Sequence, residues 1–188
     1  MTLEPTPSQT IGPFFHDALL DRDQSELVAP EHPSAVRIRG TIYNGAGEPV
    51  PDAMLEVWQA NQAGRYAHPA DDREELPLEE SFSGFGRCGT DEEGGYRFVT
   101  VKPGPVPGPG GQPQAPHINV SVFARGLLRR LVTRIYFPDE EAANAADPVL
   151  GAIEDAGRRS SLVARSEEDG LRFDLHLQGA GETVFFDV

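Results

Sequence analysis

Chemistry in a small domain needs a nucleophile beside a base, a cluster of metal ligands, or a glycine cradle for phosphate. Few residues of this 188-residue chain fit any of these by local spacing. The five histidines, His16, His32, His68, His117 and His176, stand singly, with no HxH, HExxH or HxxxH pattern, and the one cysteine, Cys88, has no partner. Zinc sites and two-histidine, one-carboxylate iron sites therefore have no local signature. There is no Gly-x-Ser-x-Gly elbow, and Gly108-Pro109-Gly110-Gly111 lacks the strand and helix that would make it hold phosphate. The acidic run Asp71-Asp72-Arg73-Glu74-Glu75 reads as a solvated face, His32 and His68 as loop residues, and His176 as an exposed residue on the polar phase of a strand. His117 differs, because it begins a strand directly after a stiff proline-glycine segment, where a side chain can point into a pocket. A hydrogen-bonded structural histidine is the equal alternative there. Near the start, Thr10-Ile11-Gly12-Pro13-Phe14-Phe15 combines a glycine that lets a ligand approach, a proline that fixes direction and two aromatic anchors. Such an arm plugs a groove in its own domain or reaches into a neighbour.

The elements that must position these residues are mostly strands. Val36 to Ile42 alternates with period two, and the turn residues Asn44 to Pro49 end it. Strands are also expected at Ala53 to Ala60, Tyr96 to Val101, Ile118 to Ala124, Leu131 to Phe137, Leu171 to Leu177 and Thr183 to Val188. Trp58, in the second of these, is expected in the core. Residues 61–85 form a loop long enough to carry function, and the proline-glycine segment from Lys102 to Pro116 excludes helix and central strand. Asp139 to Ala146, stopped by Asp147-Pro148, is the one clear short helix, with a weaker turn near Leu150 to Asp155. Without a βαβ rhythm, the fold class is all-β, a sandwich preceded by an irregular arm, with the arm at residues 1–35 and the sandwich at residues 36–188.

Composition narrows the function. Sixteen basic against thirty acidic residues give a net charge of −14, which repels nucleic acid and anionic lipid. The opening residues lack the basic and apolar regions of a secretory signal, and no apolar stretch is long enough to span a membrane, so a soluble, cytoplasmic protein is expected.

Seven segments, in order along the chain, then carry a resemblance: TPSQTIGPFF, PVPDAMLEVWQANQAGRYAHP, FGRCGTDEEGGYRF, VKPGPVP, APHINVSVFARG, RIYF and GETVFFDV. Together they resemble the intradiol ring-cleaving dioxygenases over almost the whole chain. The resemblance implies a β-sandwich, and a non-haem Fe(III) centre whose ligands in the family are a Tyr at the GRY position, a Tyr at the KPGPYP position and two His of an HxH. Tyr66 and His117 match the first tyrosine and first histidine, while Val106 and Asn119 stand where the second of each would be. Valine cannot ligate and a neutral carboxamide is a poor ferric ligand, so no metal is expected in this chain. Fe(III) would instead be held by an iron-bearing beta subunit of the same family, and the two would act together as a hetero-oligomer. Thr10, Gly12, Pro13 and Arg125 match positions that approach the substrate, a catechol bearing a carboxylate, to which Arg125 would lend positive charge. The other reading of Arg125 is an ion-pair partner at a strand end.

Two further readings bear on these segments. A non-enzymatic transthyretin-like β-sandwich binding module often begins like PVPDAMLEVW, though it would have no reason to keep TPSQTIGPFF or FARG. A homomeric enzyme would need substitute ligands such as Tyr96 or His68.

Overall fold

A computed structural model describes residues 18–79 and 81–187, and the arm residues Thr10, Gly12 and Pro13 lie outside them. Two sheets pack face to face. In the first, β1 (Ala35–Tyr43) pairs antiparallel with β4 (Gly95–Val101) along one edge. Along its other edge β1 pairs in parallel, first with β10 (Gly170–Arg172) and then with β11 (Leu175–His176), while β9 (Arg165–Glu167) extends β10. The second sheet has the order β3 (Phe85–Gly89), β2 (Met54–Trp58), β7 (His117–Phe123), β8 (Leu131–Tyr136), all antiparallel.

Period-two alternation builds the core between the sheets. Ile38 and Ile42 of β1 and Phe98 of β4 face Leu55 and Val57 of β2, Ile118, Val120 and Val122 of β7, and Ile135 of β8, all buried in one cluster. Each such side chain removed from water stabilises the fold by about 1.5–3 kcal/mol. After β1 the Asn44 side chain accepts from the Ala46 and Glu48 amides, which fixes the expected turn.

Several elements depart from the pattern read in the sequence. Phe85–Gly89 is a strand, hidden by two glycines in five residues. Leu171 to Leu177 is two short strands rather than one. At the break Phe173 donates to the Arg39 carbonyl, and Asp174 Oδ1 accepts from the Thr41 amide. The chain passes so close over Gly40 that a Cβ there would lie 1.8 Å from the Phe173 oxygen, so only glycine fits. Among the described residues 183–187 there is no strand, only a bridge from Phe186 to Val132. The segment from Lys102 to Pro116 is not wholly irregular, since β5 (Val106–Pro107) and β6 (Pro113–Gln114) pair across a short turn.

Three short helices, where one was expected, follow β8: α1 (Glu141–Ala146), α2 (Pro148–Gly151) and α3 (Ala156–Ser160). Asp147 ends α1 and caps α2, its Oδ1 accepting from the Val149 and Leu150 amides. With Tyr136, Leu162 and Val184, Leu150 of α2 forms a second, smaller core. Among the described residues no helix is long and apolar enough to cross a membrane.

Candidate functional site

The face of the second sheet turned away from the main core carries the polar residues. Antiparallel register puts directly opposed residues on the same face, so Trp58, Asn119 and Arg134 form one row and His117 and Tyr136 the next. Trp58 is thus not a core residue; half-buried, it stacks on Tyr66 with ring centres 5.8 Å apart. His68 meets the same indole edge-on.

Tyr66 reaches this face from a loop organised by buried Asn61, whose Oδ1 accepts from the Ala63 and Arg65 amides and whose Nδ2 donates to the Pro77 carbonyl. Gly64 locks that loop to the next one. Its φ is +83°, and a Cβ would stand 2.2 Å from the Pro105 oxygen, while the Gly104 amide donates to the Asn61 carbonyl. This backbone contact brings the GRY and KPGP segments side by side. The acidic run is also part of the scaffold rather than only a solvated face. Asp71 accepts from the Tyr66 amide and forms a two-pronged pair with Arg73, whose Nη2 also donates to the Gly64 carbonyl. The Arg73 hydrogen bond holds the Asp71 carboxyl well below the usual carboxylate range.

His117 is 3% exposed, with Nδ1 2.7 Å from the Ala115 carbonyl. A carbonyl can only accept, so Nδ1 carries the proton and Nε2 carries the lone pair. Burial, assisted by the charge of Arg134, pushes the imidazole down to about 4, so it is neutral at pH 7. Asp147 anchors the segment before it, Oδ2 accepting from the Ala115 amide at 2.7 Å. Tyr136 packs against His117 with ring centres 5.6 Å apart and donates to Asp147 Oδ1, and burial pushes its phenol up to about 12. Burial likewise raises the Tyr66 phenol, opposed by the Asn119 hydrogen bond and by the charges of Arg134 and Arg73.

These residues do not fit ferric iron. Tyr66 and His117 keep donor atoms, but Val106 has none. Asn119 Nδ2 donates to the Trp58 carbonyl at 3.2 Å and to the Tyr66 oxygen at 3.4 Å. Because the Trp58 carbonyl must accept, the amide's NH₂ rather than its oxygen is turned toward the phenol. Neither proposed substitute rescues the set. Tyr96 is buried in the main core, donating to the Phe173 carbonyl, and His68 Nδ1 accepts from the Ala70 amide in an exposed loop.

Arg125 is brought nowhere near His117. It lies just beyond the opposite end of β7, 79% exposed at its side chain, with Nε 3.0 Å from Asp52 Oδ2. The ion-pair reading at a strand end is therefore present in the structure, and it leaves most of the guanidinium facing outward. His176, expected to be exposed, is half-buried and stacks on Tyr43. Sequence reading missed Arg134, Gln114 and Asp147. The available signals were one arginine inside the apolar run of β8, opposite Asn119, and an aspartate directly before a proline.

Comparison with known proteins follows the same lines. A family model, Dioxygenase_C, described as a dioxygenase, matches residues 11–179. The chain is 45% identical to the protocatechuate 3,4-dioxygenase alpha chain of Pseudomonas putida, over 98% of this chain and 97% of that one. It is 38% identical to the protocatechuate 3,4-dioxygenase beta chain of Burkholderia cepacia, over 94% of this chain and 77% of that one. The dioxygenase domain of a dioxygenase–carbohydrate-binding protein fusion from Streptomyces sp. SirexAA-E superposes with a TM-score of 0.60 at 27% identity, over 94% of this chain and 99% of that one. The sandwich, the ordered motifs and these similarities have one conclusion: the chain belongs to the intradiol ring-cleaving dioxygenase family.

Proposed function

We propose that this chain is the alpha-type subunit of a protocatechuate 3,4-dioxygenase, active with an iron-bearing beta subunit in a hetero-oligomer. The enzyme opens protocatechuate with O₂, both oxygen atoms entering between the two hydroxylated carbons to give 3-carboxy-cis,cis-muconate, a step of the beta-ketoadipate route of aromatic catabolism. The observation that carries this reading is a family scaffold with half a ligand set: Tyr66 and His117 kept, Val106 and Asn119 unable to complete it. Similarity to an alpha chain over nearly the full length of both supports it. The binding-module reading is set aside, since family membership accounts for the same segments.

In this proposal Fe(III) resides on the beta subunit, and residues 1–35 form the arm, with Thr10, Gly12 and Pro13 lining the substrate pocket. Arg125, exposed and paired with Asp52 alone among the described residues, supplies positive charge for the carboxylate of the aromatic acid. That local cation matters because the chain as a whole carries −14 and would otherwise repel an anionic substrate. The expected compartment is the cytoplasm.

The test is expression of the chain alone, and again with its beta-type partner, followed by iron content, visible absorption and oxygen uptake with protocatechuate. The expected result is no activity and no iron in the lone chain, and iron, colour and turnover in the pair. Stoichiometric iron and turnover in the lone chain would overturn the subunit reading.

A further inference from the structure

The mismatch with ferric iron goes beyond two missing ligands. Arg134 lies directly across the β7–β8 ladder from Asn119, on the same face. Its Nη1 donates to Gln114 Oε1 at 2.6 Å and to the Tyr136 oxygen at 3.3 Å, and its guanidinium carbon stands 5.7 Å from the centre of the Phe186 ring. Each partner belongs to a strand position bearing on the old ligand set. Gln114 is the register partner of Val106, Tyr136 is the register partner of His117, and Arg134 itself is that of Asn119. The guanidinium is thus linked, through its own register partner and those of its hydrogen-bond partners, to Asn119, Val106 and His117, and Asn119 in turn donates to the Tyr66 oxygen. Among the described residues the guanidinium's hydrogen-bond partners are an amide and a phenol, neither of which cancels its charge.

We infer that Arg134 is the resident cation of this pocket and bars ferric iron from it, so that restoring the two lost ligands alone would not restore metal binding. The inference rests on reading Tyr66, Val106, His117 and Asn119 as counterparts of the family's iron ligands. A guanidinium keeps its proton and its charge at any pH near neutrality, so it cannot make way for a metal by deprotonation. Its two hydrogen bonds also hold it in place, so a second cation meets a fixed like charge in a partly desolvated site. Loss of the metal is then a substitution of one cation by another. The polar residues around it keep a positive neighbour, and the pocket keeps its shape without its redox centre.

The experiment compares full-length chains carrying Val106→Tyr and Asn119→His, with Arg134 retained or replaced. Arg134→Gln and Arg134→Leu are made in parallel, with circular dichroism to establish folding, so the result does not hang on one side chain. Arg134→Lys keeps the charge without the planar fork. Each is exposed to ferric iron, and iron content, tyrosinate-to-iron visible absorption and thermal midpoint are measured. The expected result is trace iron and no colour with Arg134 or Lys present. With Gln or Leu the chain should bind iron stoichiometrically, turn coloured and melt at a higher temperature than the chain that retains Arg134. Stoichiometric iron in the double variant with Arg134 intact, or with Lys in its place, overturns the barring role and leaves the positional reading standing. Folded Gln and Leu variants that take up no iron overturn the positional reading and the inference together.

Discussion

The two ends of β7 have opposite characters. At His117 the side chain is 3% exposed and enclosed by the Ala115 carbonyl, the Tyr136 ring and the Arg134 charge. Just past the other end the Arg125 side chain is 79% exposed and, among the described residues, is tied only to Asp52. The buried end keeps donor atoms that face an unsuitable set of neighbours. The open end keeps a charge that nothing within the described residues neutralises beyond one surface ion pair. The difference separates resemblance from role: the positions that look most like a catalytic centre are held as structure, while the residue proposed to serve catalysis sits where a neighbouring chain could reach it.

The largest expected effect lies at the buried end. Asp147→Ala leaves the Ala115, Val149 and Leu150 amides without their acceptor and should lower stability by roughly 3–5 kcal/mol, read by urea unfolding. A loss under about 1 kcal/mol would mean that water or relaxation replaces the carboxylate. At the open end, Arg125→Ala should change stability by no more than about 0.5 kcal/mol. In the complex with the beta-type chain the same variant should reduce kcat/KM for protocatechuate about tenfold while sparing catechol, which lacks the carboxylate. Equal losses for both substrates would erase the contrast between the two ends. The smallest effect, near zero at pH 7, is that of His117→Gln. The folded histidine titrates near 4 rather than 6.5, so the folded state resists its protonation. Above about 6.5 neither state takes up a proton; as pH drops toward 4 only the unfolded state does, so stability falls over that interval and is constant below it, and the variant should lack this segment of the stability–pH curve.

Strands with clean alternation and turn chemistry, β1 and β4 above all, were legible because burial of one face dictates the period. Leu171 to Leu177 shows the limit of that signal. Its alternation is correct residue by residue, yet the switch at Phe173 and Asp174 is imposed by Gly40, more than 130 residues away in sequence. The half-complete ligand set is what the family resemblance implies, by setting Tyr66, Val106, His117 and Asn119 against the family's ligand positions; spacing alone carried no metal signature. Arg134 was not legible, because its relation to that set comes from strand pairing. Asp71 and Trp58 were misread for a related reason: a charged run looks solvated and a tryptophan looks like core until the loop that folds over them is known.

The parallel pairing of β1 with β10 and β11 also bears on how the chain reaches this state. Ile38 is in register with Leu171, and Ile42 with Leu175, so the edge of β1 is closed by residues made 133 positions later. Such sequence-distant pairing slows folding, because the closure entropy must be met before the contact stabilises anything. Until those residues emerge, β1 can complete its ladder only with β4, and its other edge presents unpaired amides and carbonyls to any passing strand. A ribosome that stalls after β8 would therefore release a nearly complete sandwich with an open, aggregation-prone border.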